Sequence, residues 1–386
     1  MCGLVGVASG VVSGPEKGIF TDLLYVSALR GWDSTGVASI NKRGDKVTTT
    51  VHKTVGSALG LLASDGYKKI LDDSGCRALI GHTRAATLGK VVVENAHPFE
   101  FEHVIGAHNG TLTGLYPHKH EYETDSQAIY HAINEKGAEV AVPELFGAWA
   151  LTWYDKFAHT LNFLRNTQRE LYIAYVPLNN TIFWASEAGF LAMVLKRRNI
   201  KDFEITRLKE NLLIKFPIEE FDFISKYTKT EVKGLTTQRW GGEVVRPFRP
   251  VVVKEEVKDD EYFEGIPWHE YDNGACATVI TPKTETSASS DLTLKPSTST
   301  SSNSTVLTST TKDDGKTYRG YRGQSLKGDI YKALLSNGCV WCGKRAGVKD
   351  PLRWVNKSAY LCEGHKDSRV LLLDSKSSLQ LAKDVA

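Results

Sequence analysis

The chain has 386 residues, a length typical of roughly two to three domains. Its 48 basic and 45 acidic residues leave a net charge of +3, which excludes a histone-like tail protein and a wholly disordered acidic chain. Apolar residues make up 41%, enough for a sizeable core; six cysteines do not form a secreted disulfide scaffold, and no apolar run approaches the ~20 residues of a membrane span, so we expect a cytoplasmic protein with no membrane contact.

Residues 2–232 alternate short apolar runs with a few helical patterns. Strands are predicted at Cys2–Ser9, Lys46–His52, Arg77–Thr83, His103–His108, Ala148–Tyr154, Thr160–Leu164, Leu171–Val176 and Thr181–Ala185, the last two joined by a turn at 177–180. Helices are predicted at Glu16–Arg30, Asp125–Glu135 and Glu187–Lys196. This order favours a layered α+β body, with two packed sheets flanked by helices.

The composition changes after residue 232. Residues 233–271 are predicted to form an extended arm over the body or a docking segment. Residues 272–317 are predicted to be a disordered linker, because 18 of the 28 residues from 284 to 311 are Ser or Thr. Residues 318–386 form a small basic domain: residues 316–386 carry a net charge of +8, against −5 for the rest of the chain. Such a linker predicts two independent folding units.

Cys2 is the first candidate for chemistry. Removal of Met1 would give Cys2 a free α-amine with a pKa of about 7.7–8.0, close to a thiol whose pKa is about 8.5. A nucleophile and its base would then lie on one residue. Taken alone, a cysteine at position 2 is more often an accident of sequence.

Five motifs follow Cys2 in order. They are Arg30-Gly31-Trp32-Asp33-Ser34-Thr35-Gly36, Gly81-His82-Thr83-Arg84, Asn95-Ala96-His97-Pro98, His108-Asn109-Gly110 and Glu123-Thr124-Asp125. The order of these motifs and the residues in them resemble those of the class II glutamine amidotransferases. The resemblance extends from Cys2 to about residue 190, and it implies a four-layer αββα fold of the N-terminal nucleophile type.

The resemblance also implies a reaction. Cys2 would attack the side-chain amide of L-glutamine and release ammonia, without a cofactor for this step. Asn109, through its side-chain amide, and Gly110, through its backbone N–H, would form the oxyanion hole. An alternative for Asn109-Gly110 is a type I′ turn, since Asn-Gly is common in hairpins.

Four residues are candidates for holding the substrate. Arg84 and Thr87 would bind the α-carboxylate, although an isolated arginine at a strand end is more often a surface charge. Asp125 would bind the α-ammonium group; its alternative is a helix-capping role in the segment 124–127. Arg30 borders the cysteine pocket and is as well suited to bracing it as to substrate contact. His82, His97 and His108 are predicted to be architectural.

The basic tail contains a second constellation. Cys339 and Cys342 are separated by two residues, as are Cys362 and His365, with 19 residues between the pairs. This spacing predicts a structural Cys3His zinc site, since a small domain with little core needs such a staple. Chance occurrence of two short motifs is the alternative.

The chain carries no signature of a nucleotide-binding loop or an acceptor domain. We therefore predict a glutamine-hydrolysing subunit that supplies ammonia to a separate synthetase or transferase. One alternative is a catalytically silent fold used as a binding module, supported by Ala85, where the family usually has an aromatic residue. Others are a hydrolase for a different amide, and a nucleic-acid modification factor recruited by the tail.

Overall fold

The computed structural model describes residues 2–220, 224–233, 304–308, 317–319, 325–327, 334, 337–345, 353–354 and 360–365. From residue 234 onward the predicted arm lies outside these ranges, as does most of the predicted linker, and both stay predictions. None of the helices in the described ranges is long and apolar enough to cross a membrane.

The strands and helices are numbered in chain order. The strands are β1 (Gly3–Ala8), β2 (Ser34–Arg43), β3 (Lys46–Val55), β4 (Cys76–Arg84), β5 (Phe99–Glu100), β6 (Val104–Leu112), β7 (Gly147–Asp155), β8 (Thr160–Arg165), β9 (Tyr172–Val176), β10 (Thr181–Ala185), β11 (Glu204–Arg207), β12 (Leu212–Pro217), β13 (Thr228–Glu231), β14 (Ser304–Thr308), β15 (Thr317–Arg319), β16 (Ser325–Lys327), β17 (Arg353–Trp354) and β18 (Tyr360–Leu361). The α-helices are α1 (Gly14–Ser27), α2 (Ala58–Leu62), α3 (Asp65–Asp72), α4 (Asp125–Lys136), α5 (Ala138–Ala141) and α6 (Ala188–Arg197).

Two large sheets form the centre of the body. The first has the order β11-β9-β10-β1-β4-β2-β3-β14, and the second has the order β13-β12-β8-β7-β6-β5. Strand pairing is antiparallel except between β14 and β3. One buried cluster fills the space between the sheets, a second joins the first sheet to α1, α2, α3 and α6, and a third joins the second sheet to α4 and α5. The order of layers is therefore helix, sheet, sheet, helix.

The central strand β1 shows why the sequence forms these layers. Leu4 and Ala8 lie in the cluster between the sheets, while Val5 and Val7 lie in the cluster under the helices. Because both faces of β1 are covered, the strand is a continuous apolar run and shows no alternation with polar residues. The same burial places Cys2, which directly precedes β1, near the centre of the body.

The predicted mixed fold is confirmed, with several elements added. The predicted strands, helices and hairpin all form, with ends shifted by a few residues. Strands β2, β5, β11, β12, β13 and β15 to β18 and helices α2, α3 and α5 were not predicted. Inside the predicted linker, Ser304–Thr308 pairs with β3, so these five residues differ from the expectation of disorder.

Candidate active site and metal centre

Cys2 lies against the backbone that follows β4. Its Sγ is 3.4 Å from the backbone N of Ala85, which donates to it, and 3.5 Å from the Ala85 carbonyl oxygen. Burial raises the pKa of the Cys2 thiol, and the neighbouring charges of Arg30 and Arg84 only partly offset this. The sulfur is therefore a thiol at neutral pH, and its reaction as a nucleophile needs a base.

A buried ion pair supports the backbone of Cys2. Arg30 follows the end of α1, and its Nε donates to the Cys2 carbonyl oxygen at 2.7 Å. Its Nη1 binds Oε1 of Glu187, the residue that directly precedes α6, and both side chains are almost fully buried. These contacts favour the bracing role of Arg30 over substrate contact.

The segment after α1 also shapes the loop that follows β4. The Asp33 carboxylate accepts from the backbone N of Ala86 at 2.7 Å, and the Asp33 backbone N donates to the Arg84 carbonyl at 2.9 Å. A Cβ on Gly31 would come within 2.4 Å of the Arg84 carbonyl carbon, so only glycine permits this approach. The Arg-Gly-Trp-Asp motif thus holds the backbone that contacts the Cys2 sulfur.

Arg84 ends β4 and is buried, with 3% of its surface exposed. Its guanidinium donates to the backbone carbonyls of Lys90 at 2.9 Å and Leu88 at 2.5 Å. It is therefore not the surface charge that an isolated arginine usually is. In this structure the guanidinium shapes the 88–90 loop, and Thr87, at the start of that loop, is exposed.

Asn109 and Gly110 lie inside β6, so the alternative of a type I′ turn is wrong. Gly110 has φ +157°, and a Cβ there would meet the Ala148 carbonyl oxygen at 1.8 Å, so the neighbouring strand β7 requires a glycine. The Asn109 Nδ2 donates to Oγ of Ser186 at 3.3 Å, and the same Oγ accepts from the backbone N of Leu4 at 2.9 Å. Ser186 thereby connects the predicted oxyanion residue to β1, two residues after Cys2.

Asp125 begins α4 and is buried. Its Oδ2 accepts from the backbone N of Leu112 at 2.8 Å, at the end of β6. Thr124 caps the helix, since its Oγ1 accepts from the backbone N of Gln127 at 3.3 Å. The predicted cap is thus present through Thr124, and the carboxylate of Asp125 faces the β6 end that follows Gly110.

Three buried histidines connect the two sheets behind this region. His82 Nε2 lies 3.0 Å from the His108 carbonyl oxygen, and the rings of His82 and His97 are 3.9 Å apart. Burial lowers the pKa of His82 to about 3 and that of His97 well below its ordinary value. These neutral rings fill the space between strands, in line with the predicted architectural role.

Ser186 and Glu187 lie outside the five sequence motifs, although each contacts a predicted site residue. They directly follow β10 along the chain. The only sequence signal was their place directly after an apolar strand. Their partners, Asn109 and Arg30, lie 77 and 157 residues away along the chain.

The four predicted zinc ligands converge in the tail. One ligand atom from each of Cys339, Cys342, Cys362 and His365 lies within 4.8 Å of the others. The Cys342 and Cys362 sulfurs are 3.8 Å apart, close to the ~3.8 Å that two Zn–S bonds of about 2.3 Å give at a tetrahedral angle. Trp341 stacks on the His365 ring at 5.5 Å. The donor set and spacing fit zinc.

We call residues 337–345 and 360–365 the knuckle. Cys339, Val340 and Tyr360 belong to the same buried cluster as residues of α1 and α6. The Tyr25 hydroxyl donates to the Gly338 carbonyl at 2.8 Å, and Arg197 Nη1 donates to the Val340 carbonyl at 3.3 Å. This packing differs from the expected independence of the two units, because linker composition does not determine whether the domain beyond it docks.

Comparison with the sequences of known proteins finds relatives that match part of the chain. The chain is 33% identical over 169 residues to a glutamine–fructose-6-phosphate aminotransferase [isomerizing] of Acinetobacter baylyi, a match that covers 39% of this chain and 26% of that protein. The protein of the same name from Helicobacter pylori is 28% identical over 239 residues, or 57% of this chain and 37% of that protein. The chain thus spans only about a quarter to a third of the length of these relatives. No protein-family profile matches it.

Among solved structures, the chain is similar to the glutamine phosphoribosylpyrophosphate amidotransferase of B. subtilis. The TM-score is 0.44 at 17% identity, over 60% of this chain and 49% of that chain. Similarity at this level does not by itself establish a shared fold. The sequence matches do confirm the resemblance of the body to the class II glutamine amidotransferases.

Proposed function

We propose that the body hydrolyses L-glutamine to glutamate and ammonia, with Cys2 as the nucleophile after removal of Met1. The observation that carries the proposal is the position of Cys2: a half-buried thiol beside a backbone N–H, with Asn109 linked through Ser186 to β1, the strand that follows Cys2. The aminotransferase relatives support the same class of reaction.

The chemistry follows from the raised pKa of the thiol. The α-amine of Cys2 takes the thiol proton as Sγ attacks the amide carbon of glutamine, and the C=O bond pair moves to oxygen. The Asn109 side-chain amide and the Gly110 N–H stabilise this oxyanion. The protonated amine then gives its proton to the departing ammonia, leaving a γ-glutamyl thioester. Water cleaves the thioester, which releases glutamate and restores the thiol.

Substrate binding is assigned to Arg84, Thr87 and Asp125. Two guanidinium nitrogens of Arg84 donate to the 88–90 loop. These bonds place Arg84 next to Thr87, which directly precedes that loop. We propose that Arg84 both shapes this loop and offers its other N–H groups to the α-carboxylate. Asp125 receives the α-ammonium group at the end of β6, and Arg30 braces Cys2.

We further propose that the ammonia passes to an acceptor held by a separate synthetase or transferase subunit. The support is the name of the aminotransferase relatives, which joins glutamine to an acceptor sugar. The silent-module alternative is disfavoured because the chain has Cys2, Asn109 and Gly110, the three residues that the proposed reaction uses. The relatives offer no support for nucleic-acid binding by the tail.

The test is ammonia release from L-glutamine by the full chain. Cys2→Ala and Cys2→Ser are each expected to abolish release, and so is an N-terminal extension that prevents formation of the α-amine. Cys76→Ala is the matched control, because Cys76 is a buried thiol of β4 outside the pocket. Activity that survives both the Cys2 substitutions and the extension would contradict the mechanism, and mass spectrometry checks that Met1 is removed.

The knuckle is proposed to hold one structural zinc ion through Cys339, Cys342, Cys362 and His365. In such a closed site the metal supplies no reactive group; it cross-links two chain segments. Elemental analysis of the full chain tests this assignment. Cys339→Ser and Cys362→Ser are expected to lower the zinc content, whereas Cys76→Ala is not.

A further inference from the structure

The surface that the knuckle covers is built from two helices of the body. Tyr25 of α1 lies beneath Gly338, and Arg197 at the end of α6 contacts Val340. Arg197 also pairs with Asp22 of α1 at 2.7 Å, with both side chains largely buried. Although burial opposes it, the charges of Arg197 and Arg198 hold the pKa of Asp22 below its ordinary value. The knuckle thus covers a charged contact between α1 and α6.

The other contacts of α1 reach the nucleophile. Ser27, two residues after Tyr25, bonds Thr83 of β4 through its Oγ at 3.0 Å and its carbonyl at 2.9 Å. A Cβ on Gly3 would lie 1.9 Å from the Ser27 Oγ, so the end of α1 rests directly on the residue after Cys2. Displacement of α1 would therefore disturb the start of β1.

Helix α6 provides a second connection. Its last residue is Arg197, at the knuckle, and its N-terminal capping residue is Glu187. Glu187 pairs with Arg30, whose Nε donates to the Cys2 carbonyl at 2.7 Å. The two helices thus contact the knuckle on one side and the backbone of Cys2 on the other.

We propose that zinc binding by the knuckle stabilises the α1–α6 layer and, through both helices, the backbone that holds Cys2. The body is then not an independent unit: loss of zinc loosens α1 and α6 and lowers the activity of Cys2. The last clause rests on the proposed glutamine hydrolysis, whereas the loosening of the helices rests only on the proposed zinc site.

The experiment compares the zinc-loaded full chain with the chain after chelation, with metal content checked by elemental analysis. Hydrogen exchange is expected to rise in α1 and α6 but not in β7 and β8, which belong to the second sheet and hold no proposed zinc ligand. The melting temperature is expected to fall by about 5 °C or more, and added zinc is expected to restore both. Unchanged exchange in α1 and α6 after complete zinc removal would overturn the proposal.

Tyr25→Phe separates the contact from the metal, since it removes only the hydroxyl that binds Gly338. It is expected to retain zinc but to show a smaller change in α1 exchange upon chelation. Tyr67→Phe is the control, because Tyr67 bonds Thr21 of the same helix at 2.7 Å on the α3 side. Equal effects of the two substitutions would contradict the coupling. If hydrogen exchange in α1 and α6 depends on zinc but the zinc-loaded chain releases no ammonia from L-glutamine, only the proposed hydrolysis is wrong.

A second cluster of possible metal ligands, independent of the knuckle, lies on α4 and on the loop that joins β6 to α4. His131 and Glu135 are one turn apart on α4, and His118 lies in the preceding loop. The Nε2 atoms of His118 and His131 are 2.9 Å and 3.2 Å from the Glu135 carboxylate, and the rings are 3.9 Å apart. Glu121 approaches the other nitrogen of His118 at 2.8 Å. Two imidazoles and a carboxylate, partly open to solvent, match the ligands that zinc prefers.

We infer that His118, His131 and Glu135 form a second zinc site, which ties the 113–124 loop to α4. Stripped full-length chain titrated with Zn²⁺ alone is expected to bind two ions, and His131→Gln or Glu135→Gln is expected to bind one. His120→Gln is the control, because His120 is an exposed histidine of the same loop outside the cluster. One ion bound by the unaltered chain, or two by both cluster variants, would overturn the assignment.

Discussion

The chain has two cysteine sites of opposite construction. At the start of β1, Cys2 is a single sulfur surrounded by backbone groups of Ala85 and flanked by the charges of Arg30 and Arg84. In the knuckle, three sulfurs and an imidazole converge within 4.8 Å of one another. A single thiol beside a backbone N–H is suited to attack a substrate, whereas converging thiols are suited to share a metal.

The two sites also differ in how the chain supports them. The support of Cys2 comes from distant segments, through Arg30, Glu187 and Ser186. The ligands of the knuckle come from two short segments whose spacing is visible in the sequence. The pocket should therefore be sensitive to changes far from Cys2, whereas zinc binding in the knuckle should respond only to changes within the knuckle. Four substitutions test this difference.

The largest effect is expected for Glu187→Gln. This change leaves Arg30 buried without its charge partner, so the free energy of unfolding should fall by about 3–5 kcal/mol. Urea unfolding measures the loss. The double variant Arg30→Met/Glu187→Gln should recover part of it, because no uncompensated charge remains. Zinc content should be unchanged in the folded protein; additive losses in the double variant would contradict the pairing.

Asn109→Ala should lower kcat by about 100-fold, equivalent to about 2.7 kcal/mol, with a small change in KM, because one oxyanion donor is lost. Steady-state ammonia release measures both constants. Asn41→Ala is the control, since Asn41 is a buried asparagine of β2 whose amide contacts Ser39. A change confined to KM would show that Asn109 binds substrate without stabilising the oxyanion.

Arg84→Lys should raise KM for glutamine roughly 10-fold, because an ammonium group cannot hold the carbonyls of Lys90 and Leu88 and a carboxylate together. Arg43→Lys, an exposed change at the end of β2, should leave KM unaltered. Equal KM for the Arg84 variant and the unaltered chain would remove Arg84 from the binding site.

The smallest effect concerns acid stability. Burial holds the pKa of His97 well below its ordinary value of about 6.5, so below that pH the unfolded chain binds the proton and the folded chain does not. Stability is therefore lost as the pH falls below about 6.5. His97→Leu should reduce this loss by about 1.4 kcal/mol per pH unit, measured by urea unfolding, whereas the exposed His103→Gln should not. An unaltered slope would mean that His97 is already protonated in the folded state.

Local sequence patterns predicted the strands and helices whose own residues determine their secondary structure. The apolar runs of β1, β4 and β7 are buried on both faces, so composition alone marked them as strands. Strand β2 escaped notice because six of its eight buried residues are small or polar. Helices α2, α3 and α5 are too short for a periodic signal, and they form where packing covers them.

The residues of the two sites divide in the same way, into those that local patterns predicted and those that depend on tertiary contacts. Cys2 and the zinc ligands were visible in the sequence, because a nucleophile at position 2 and paired ligands two residues apart are local features. The strand position of Asn109 was not, since the Asn-Gly pair favours a turn and only the pairing of β6 with β7 overrides it. Local chemistry thus determined which residues could react or bind metal. Tertiary structure alone decided that Glu187 supports Cys2 and that the knuckle docks on Tyr25 and Arg197, because contacts between distant segments depend on packing and leave no periodic pattern in the chain.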